Sequence, residues 1–362
     1  MEQTFRAAWS ISYFLRKVLT DFWHCAPQRK EVTAQTIYTI QIVTVRTGRR
    51  STLLVPAKND ASHMDLLERA GETLRIMHSW GYAPRIEALA KQLLGGSESP
   101  ELLNRELENH SDLVLRDGFV ALREFTDLIP QSRTHFEADG TFRREALALA
   151  GAFAKDLAIS CPMVECIALS GSLASGGYTP QDDIDFDLVV EPGTKYLCYL
   201  VAQLIGLKFS WRNRGRRLDE VHHTPLFPKV TCVNVVWTDN ETEPFVRRDE
   251  NMAFELMRCE PLHGARLFRS VLEHNSWLRD YFPQIFYREW PDDSKRQPNF
   301  VGRALAWVGR NQRMLRWVEA RSRKISWLMY RYVQRSRRDN PHAVARMEFL
   351  RKVKFPYEVF QD

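Results

Sequence analysis

A short run of alternating acidic and apolar residues constrains the fold of this chain most. From Asp183 to Val190 the sequence reads DIDFDLVV, so aspartates alternate with apolar residues before an apolar end. Alternation with a period of two is typical of a β-strand with one polar and one buried face. Asp183, Asp185 and Asp187 would then share a face, where their mutual repulsion favours a divalent cation that prefers oxygen ligands.

A glycine–serine turn precedes this strand. The apolar segment 165–169 predicts a buried strand, and Ser170, Gly171 and Ser172 interrupt it where a helix could begin. Backbone amides at such a turn can hold a triphosphate. Gly171 and Ser172 are therefore predicted to bind a nucleotide.

The turn and the aspartates together resemble the signature of the DNA polymerase β nucleotidyltransferase superfamily, a Gly-Ser turn followed by Asp-x-Asp on the next strand. Gly171 and Asp183 are twelve positions apart, a separation common in the small, bacterial-type members. The resemblance covers residues 164–237 and implies a small mixed sheet backed by helices. It also implies that Asp183 and Asp185 are catalytic metal ligands for Mg²⁺ or Mn²⁺, and that a nucleoside triphosphate is the substrate.

Members of this superfamily normally supply a third carboxylate from a later strand, and the resemblance places Asn234 there. An amide oxygen can bind a metal but cannot accept a proton, so nucleophile activation would lack its usual base. Asp187 and Asp239 are candidates to compensate, although neither has the expected position. The alternative function is a catalytically impaired nucleotide-binding or regulatory protein that contacts a protein or nucleic-acid partner.

Each half of the signature also has an ordinary structural explanation, because Gly-Ser pairs are common in turns and Asp-x-Asp often occurs by chance. Their combination at this spacing, between apolar flanks, favours a functional site. Two other phosphate-binding motifs fail, since the sequence has no Gly-x-x-x-x-Gly-Lys-Ser/Thr and Gly171 does not begin Gly-x-Gly-x-x-Gly. The serine-hydrolase elbow Gly-x-Ser-x-Gly fails over residues 171–175 as well.

A first basic cluster follows an apolar helix predicted over residues 196–207. Arg212 and Arg214, with Arg216 and Arg217, lie between this helix and the strand of Asn234. Arginines there could reach the triphosphate and neutralise the charge that develops on pyrophosphate. Surface solubility explains them equally well, so both explanations stay open.

A second basic cluster dominates residues 300–340, which are predicted to be helical. Eleven lysines and arginines face two acidic residues there, a net charge of +9, whereas the whole chain carries +6. Trp307, Trp317 and Trp327 interleave with the arginines. Such a segment can contact an acidic partner, a polynucleotide backbone or a membrane surface, or simply pack with its basic face in solvent.

The order of predicted elements gives an α+β protein with four regions. Residues 1–61 form an N-terminal helix and β-hairpin region, 62–130 a winged-helix-like domain, 140–240 the nucleotidyltransferase core, and 241–362 a helical, basic C-terminal region. A helix predicted over residues 142–159 leads into the core. Three glutamates in the third helix of the winged-helix-like domain disfavour DNA binding, so a scaffold or docking role is preferred for it.

The remaining composition bears on compartment and partners. Six cysteines occur without a Cys-x-x-Cys pair, which disfavours a disulfide framework or zinc ribbon, and His222, His223 and Cys232 lack a fourth ligand and a standard zinc spacing. The N-terminal residues carry charges that do not fit a secretory signal, and the apolar helix is too short to span a bilayer. We expect a cytoplasmic protein without a transmembrane segment. A small molecule or a protein is the favoured acceptor, with a nucleic acid as the other candidate.

Overall fold

A computed structural model describes residues 64–108, 110–215, 229–291 and 296–337, together with positions 341, 344 and 348. The predicted N-terminal region 1–61 lies outside the described residues, as do the predicted basic residues Arg216 and Arg217 and the histidines His222 and His223. The described residues belong to one compact unit, which begins at Asp60.

Three helices and a hairpin open the described chain, within the region 62–130 that was predicted to be winged-helix-like. They are α1 (Leu66–Ser79), α2 (Ile86–Lys91), α3 (Pro100–Leu107), β1 (Leu113–Arg116) and β2 (Phe119–Leu122). Asp65 and Ser99 cap α1 and α3 by accepting bonds from backbone amides three residues on. Asp117 and Gly118 both have positive φ, which closes the hairpin with the twist that antiparallel strands favour.

A single long helix, α4 (Leu128–Ser160), leads to the sheet and has 33 residues. The predicted helix over 142–159 was therefore too short at its beginning. Pro130 lies in the first turn, where its missing N–H would have no intrahelical partner, so it does not break the helix. Gly140 lowers helix propensity by only about 1 kcal/mol relative to alanine, which tertiary packing can outweigh.

A four-stranded mixed sheet lies at the centre. The chain continues through β3 (Val164–Ser170), α5 (Gly171–Ser175), β4 (Ile184–Val190), α6 (Lys195–Arg212), β5 (Thr231–Thr238), α7 (Asp239–Thr242), α8 (Glu250–Arg258) and β6 (Glu260–His263). The strand order is β5-β4-β3-β6. Strand β3 is antiparallel to β4 and β6, and β4 is parallel to β5. A small mixed sheet is confirmed, and β6 adds a strand that the predicted core of 140–240 did not include.

The two faces of the sheet pack against different helices. On one face, Phe186 of β4 stacks on Phe153 of α4 at 4.5 Å between ring centroids, and Phe209 of α6 completes the contact. On the other face, Val189 belongs to a buried cluster that contains Leu74 of α1 and Phe254 of α8. The N-terminal helices therefore share a hydrophobic core with the sheet.

The described residues that follow β6 are mostly helical and include α9 (Ala265–His274), α10 (Phe300–Gly309) and α11 (Gln312–Arg337). Strand β6 also falls within the region 241–362 that was predicted to be helical. Helix α11 packs on α6, where the Glu319 carboxylate accepts bonds of 2.8 Å from the amides of Tyr196 and Leu197. Across the part of the chain that the structure describes, no helix combines the length and the apolar character needed to cross a membrane.

Candidate metal and nucleotide site

Two aspartates and a cysteine meet at the edge of the sheet where β4 and β5 begin. Asp183 immediately precedes β4, and parallel pairing places Cys232 of β5 opposite Asp185 of β4. A carboxylate oxygen from each aspartate and the Cys232 sulfur lie within 4.8 Å of one another. A set of this size can surround a single ion after small side-chain shifts, because metal–oxygen and metal–sulfur bonds are about 2.0–2.3 Å long.

Lys229 brings a positive charge to this set. Its Nζ lies 2.6 Å from the Cys232 sulfur and 3.9 Å from Asp183 Oδ2. Asp183 is only 5% exposed, and a nearby cation offsets the loss of hydration that a buried carboxylate group suffers. The ammonium thus occupies a position where positive charge is favoured, as it would be for a bound metal ion.

Cys232 lies deep in the site. Burial raises the pKa of its thiol to about 12; Lys229 lowers this pKa, while Asp183 and Asp185 raise it further. The thiol is therefore protonated in the absence of a bound cation. Neither Cys232 nor Lys229 was predicted to belong to the site of the two aspartates; Cys232 was weighed only as a zinc ligand, and that assignment was rejected. Their position in the sequence could have indicated them, because both lie within five residues before Asn234, in the segment that leads into and begins the strand beside the aspartates.

Gly171 and Asp185 are in direct proximity, as predicted for the turn and the aspartates. Ser170 at the end of β3 pairs with Asp185, and Gly171 follows with φ of +67°. A Cβ built on Gly171 would lie 2.2 Å from Asp185 Oδ2. Only glycine leaves room for the carboxylate here, and glycine also adopts this left-handed conformation at low cost.

The Ser172 hydroxyl has a partner within the protein. Its Oγ donates to Asp182 Oδ2 over 3.0 Å, and the same carboxylate oxygen accepts from the Thr179 amide over 2.9 Å. Asp182, which lies just before β4, thereby holds the beginning of the connecting segment at Ser172 close to its end. Nucleotide binding by Ser172 stays a prediction, and the hydroxyl would have to share its bond with Asp182 or exchange it.

Helix α4 holds the same segment from the other side. Arg143 Nη1 donates to the Leu173 carbonyl over 2.7 Å, and Asp139 Oδ1 accepts from the Tyr178 amide over 3.2 Å. The two side chains also form an ion pair of 3.2 Å. Burial raises the pKa of Asp139, whereas Arg143 lowers it. These positioning residues were not predicted, because long-range contacts to backbone atoms leave no sequence motif.

Asn234 contacts the site through Cys232. Phe186 pairs with Val233 and Asp187 pairs with Val235, so Asn234 is the extra residue of a β-bulge in β5. Its Oδ1 accepts from the Cys232 thiol over 3.1 Å. The position opposite Asp185 therefore belongs to Cys232, and Asn234 is the neighbour that orients this thiol.

Asp187 shares the face of Asp185, but it is buried among other groups. It is 2% exposed, accepts from Ser170 Oγ over 3.3 Å, and lies near Glu255 and Cys259 in a second set whose ligand atoms lie within 4.8 Å of one another. Burial, Glu255 and Asp185 raise its pKa well above the usual value. Asp187 is therefore a buried core residue that packs with Glu255 and Cys259, rather than a replacement for the third carboxylate.

Asp239 lies at the opposite end of the sheet, because it follows the last residue of β5. There it neighbours Glu165 near the start of β3. Burial raises the pKa of Glu165 to about 7, with further contributions from Asp239 and Glu191. Asp239 therefore belongs to a separate acidic cluster and cannot compensate for a missing ligand beside Asp183.

Arg212 and Arg214 are exposed near the C-terminal end of α6. Gly206 brings this end of the helix against Thr231 at the beginning of β5, where a Cβ on the glycine would lie 2.9 Å from Thr231 Oγ1. The Arg214 guanidinium lies 5.3 Å from the centroid of the Trp211 ring. Nucleotide binding by Arg212 and Arg214 stays a prediction.

The basic C-terminal helices present charged and aromatic side chains to solvent. Trp307 is 49% exposed and Trp317 is 61% exposed, so these two tryptophans do not simply face the core. The exposed cationic residues of α10, α11 and their connection up to residue 331 are Arg303, Arg310, Arg313, Arg316, Arg321, Arg323, Lys324 and Arg331. Glu319 is engaged with the N-terminus of α6. The surface is therefore suited to a polyanionic partner.

Comparison with protein-family models, with curated proteins and with solved structures found no match for this chain.

Proposed function

We propose that this protein is a metal-dependent nucleotidyltransferase that moves a nucleoside monophosphate from a nucleoside triphosphate to an acceptor hydroxyl and releases pyrophosphate. The observation that carries the proposal is the contact between Gly171 and Asp185, since it joins the predicted phosphate-binding turn to the predicted metal ligands. The proximity of Asp183 and Cys232 supports it further. In this proposal the chain is a divergent member of the DNA polymerase β superfamily.

The residues present fit a divalent cation. Asp183 and Asp185 supply carboxylate oxygens, and the Lys229 ammonium already stands beside Asp183 as a cationic substitute. When bound, Mg²⁺ or Mn²⁺ would neutralise the triphosphate and polarise the α-phosphoryl group. Asp183 and Asp185 would hold the ion, and the backbone at Gly171 and Ser172 would orient the phosphates beside it.

The strand that would carry a third carboxylate supplies no general base for the acceptor hydroxyl. Cys232 and Asn234 occupy the strand that would carry a third carboxylate, and neither a protonated thiol nor an amide is a general base. The proton would therefore pass to a carboxylate already in the site or to solvent. We expect slow transfer, because general-base catalysis typically contributes about 10²–10⁴-fold.

The test is pyrophosphate release from each ribonucleoside triphosphate with Mg²⁺ or Mn²⁺, with and without cell extract to supply acceptors. We expect Asp183→Asn and Asp185→Asn to reduce release by at least about 100-fold, the loss typical of a missing electrostatic group. Asp187→Asn is the matched control, because its carboxyl is 2% exposed and packs in the core with Glu255 and Cys259. Release that survives in Asp185→Asn would overturn the proposal.

A second candidate function is a regulatory protein that binds a nucleotide without turning it over. The observation that favours it is the pairing of Cys232, rather than a carboxylate, with Asp185. The exposed arginines and tryptophans of α10 and α11 would then contact the partner, either a protein or a nucleic acid. It predicts metal-dependent nucleotide binding without pyrophosphate release, and no gain of turnover in Asn234→Asp.

A further inference from the structure

The identity of the third ligand affects which metal the site can hold. The assignment of this ligand depends on the proposed function in one respect, which is that Asp183 and Asp185 are metal ligands. Strand pairing places Cys232 directly across from Asp185, while the bulge moves Asn234 out of that register. The residue best placed to complete the metal site is therefore a cysteine.

We propose that the Cys232 sulfur is the third protein ligand of the cation site, so that the site prefers a transition-metal dication to Mg²⁺. Its sulfur belongs to the same 4.8 Å set as the two carboxylates. Mg²⁺ demands hard oxygen ligands in near-octahedral geometry, whereas Mn²⁺, Co²⁺ and Zn²⁺ accept mixed oxygen, nitrogen and sulfur donors to increasing degrees. A two-carboxylate, one-thiolate set therefore favours the latter ions.

The surroundings of the sulfur support this role. The Lys229 ammonium lies 2.6 Å from the sulfur and 3.9 Å from Asp183 Oδ2, so a cation is already stabilised between a carboxylate and the thiol. The Cys232 thiol donates to Asn234 Oδ1 over 3.1 Å, which fixes the direction of the sulfur in the metal-free protein. Once the thiol has lost its proton, the Asn234 side chain would have to turn so that its amide N–H donates to the thiolate. Such outer partners orient metal ligands in proteins.

Binding requires one proton transfer and no redox change. The thiol gives its proton to solvent as the metal–sulfur bond forms, and the metal keeps its charge of two. The Lys229 ammonium moves away from the sulfur, which its flexible four-carbon chain allows. Two carboxylates and one thiolate then surround the dication, and water or phosphate oxygens fill the remaining positions.

Cobalt is the probe that tests this assignment directly, because thiolate-bound Co²⁺ has a near-ultraviolet charge-transfer band and carboxylate-bound Co²⁺ lacks it. We expect titration of the full chain with Co²⁺ to produce this band with saturation at one ion. Cys232→Ser should abolish the band and weaken Co²⁺ binding by at least about 10–100-fold, since loss of a hydrogen-bond partner of a metal ligand alone typically costs that much. Mg²⁺ should bind the wild-type chain more weakly than Co²⁺ and Mn²⁺.

Cys259→Ser is the matched control, since Cys259 is the buried thiol of the other group that could hold an ion, with Asp187 and Glu255. The band should persist in this variant. Cys232→Asp should lose the band and gain affinity for Mg²⁺, because an oxygen ligand replaces the sulfur. A gain in Mg²⁺ affinity would show that the variant is folded and that the band was lost through the change of ligand. A band that survives in Cys232→Ser, or disappears in Cys259→Ser, would overturn the assignment.

The cobalt readout does not depend on nucleotidyl transfer. A Cys232-dependent band without pyrophosphate release in any metal would retain the ligand assignment and remove the proposed function. Pyrophosphate release that depends on Asp185 but is unaffected by Cys232→Ser, in a chain that shows no band, would retain the function and remove the ligand assignment.

Discussion

The Asp185 carboxylate occupies the space that a side chain at position 171 would need, since a Cβ on Gly171 would lie 2.2 Å from Asp185 Oδ2. The backbone of Gly171 has φ of +67°, a left-handed conformation that residues with a Cβ atom disfavour. Two independent constraints therefore require glycine at this position. One belongs to the turn, and the other belongs to the proposed metal ligand.

Replacing Gly171 with alanine should displace the Asp185 carboxylate from the site. We expect metal affinity to fall by about 10-fold or more, together with any pyrophosphate release, because a ligand moved by 1 Å is poorly placed to bind. The left-handed backbone should also cost about 1–2 kcal/mol of stability. Isothermal titration with Mn²⁺ and urea unfolding measure the two effects separately.

Gly176→Ala is the control for that backbone cost. Gly176 has φ of +83°, and a Cβ there would meet no other atom within 4 Å. Its alanine variant should lose similar stability while it keeps the metal affinity of the wild-type chain. Equal losses of metal affinity in both variants would show that backbone strain, rather than the displaced carboxylate, is responsible.

Local patterns predicted much of the fold. The glycine–serine turn at Gly171 and the acidic–apolar alternation in β4 were predicted, because each depends on residues only a few positions apart. The helix caps at Asp65 and Ser99 are equally local but were not predicted. The extension of α4 back to Leu128 was missed because Pro130 and Gly140 reduce local helix propensity. Strand β6 was missed because a four-residue strand at a sheet edge is defined by its pairing with β3.

The site was predictable only in part. Gly171, Asp183 and Asp185 follow from a motif with fixed spacing, and the structure brings them together. The bulge at Asn234 is a property of how β5 pairs with β4, so the sequence could not show that Cys232 lies opposite Asp185. The Lys229 ammonium lies beside Asp183 only because the folded chain brings the two residues together. A contact of this kind leaves no periodic pattern in the sequence.

The acidic cluster at the far end of the sheet should make stability depend on pH. The pKa of Glu165 is raised from 4.5 to about 7 in the folded chain, so the folded state holds this proton more tightly than the unfolded state. Its contribution to stability is fully present below pH 4.5 and is lost as the pH rises through about 7. Urea unfolding at pH 5 and pH 8 measures this loss.

Glu165→Gln should reduce that pH dependence, because the amide keeps the shape of the carboxyl without its charge. The variant should therefore gain stability relative to the wild-type chain as the pH rises from 5 to 8. Glu101→Gln, at an exposed position on α3, is a control for the loss of one negative charge. An identical stability difference at both pH values for Glu165→Gln would contradict the assigned pKa.

Glu319 should stabilise the contact between α11 and α6. Thr194 precedes α6 without a side-chain capping bond, and the Glu319 carboxylate accepts from the Tyr196 and Leu197 amides instead. Glu319→Ala should lower the free energy of unfolding by about 2 kcal/mol, since hydrogen bonds to charged groups contribute about 1.5–3 kcal/mol. Glu319→Gln should lose less because it keeps one acceptor oxygen. Equal stability of the alanine variant and the wild-type chain would contradict the capping role.

Lys229 allows a test in which two measurable quantities change in opposite directions. Its ammonium lies 3.9 Å from Asp183 Oδ2, where it offsets the buried carboxylate and competes with a divalent cation. Lys229→Met should therefore lower the free energy of unfolding of the metal-free chain, because the buried Asp183 carboxyl group loses a nearby cation. The same variant should bind Mn²⁺ several-fold more tightly, because the competing charge is gone.

Urea unfolding in the presence of a chelator and calorimetric titration with Mn²⁺ distinguish these effects. Lys208→Met is a suitable control, since Lys208 pairs with Asp156 at the surface over 2.7 Å. That variant should leave Mn²⁺ binding unchanged and cost little stability, as exposed ion pairs contribute only about 0–1 kcal/mol. Weaker Mn²⁺ binding in Lys229→Met would mean that the ammonium supports the bound ion rather than competing with it.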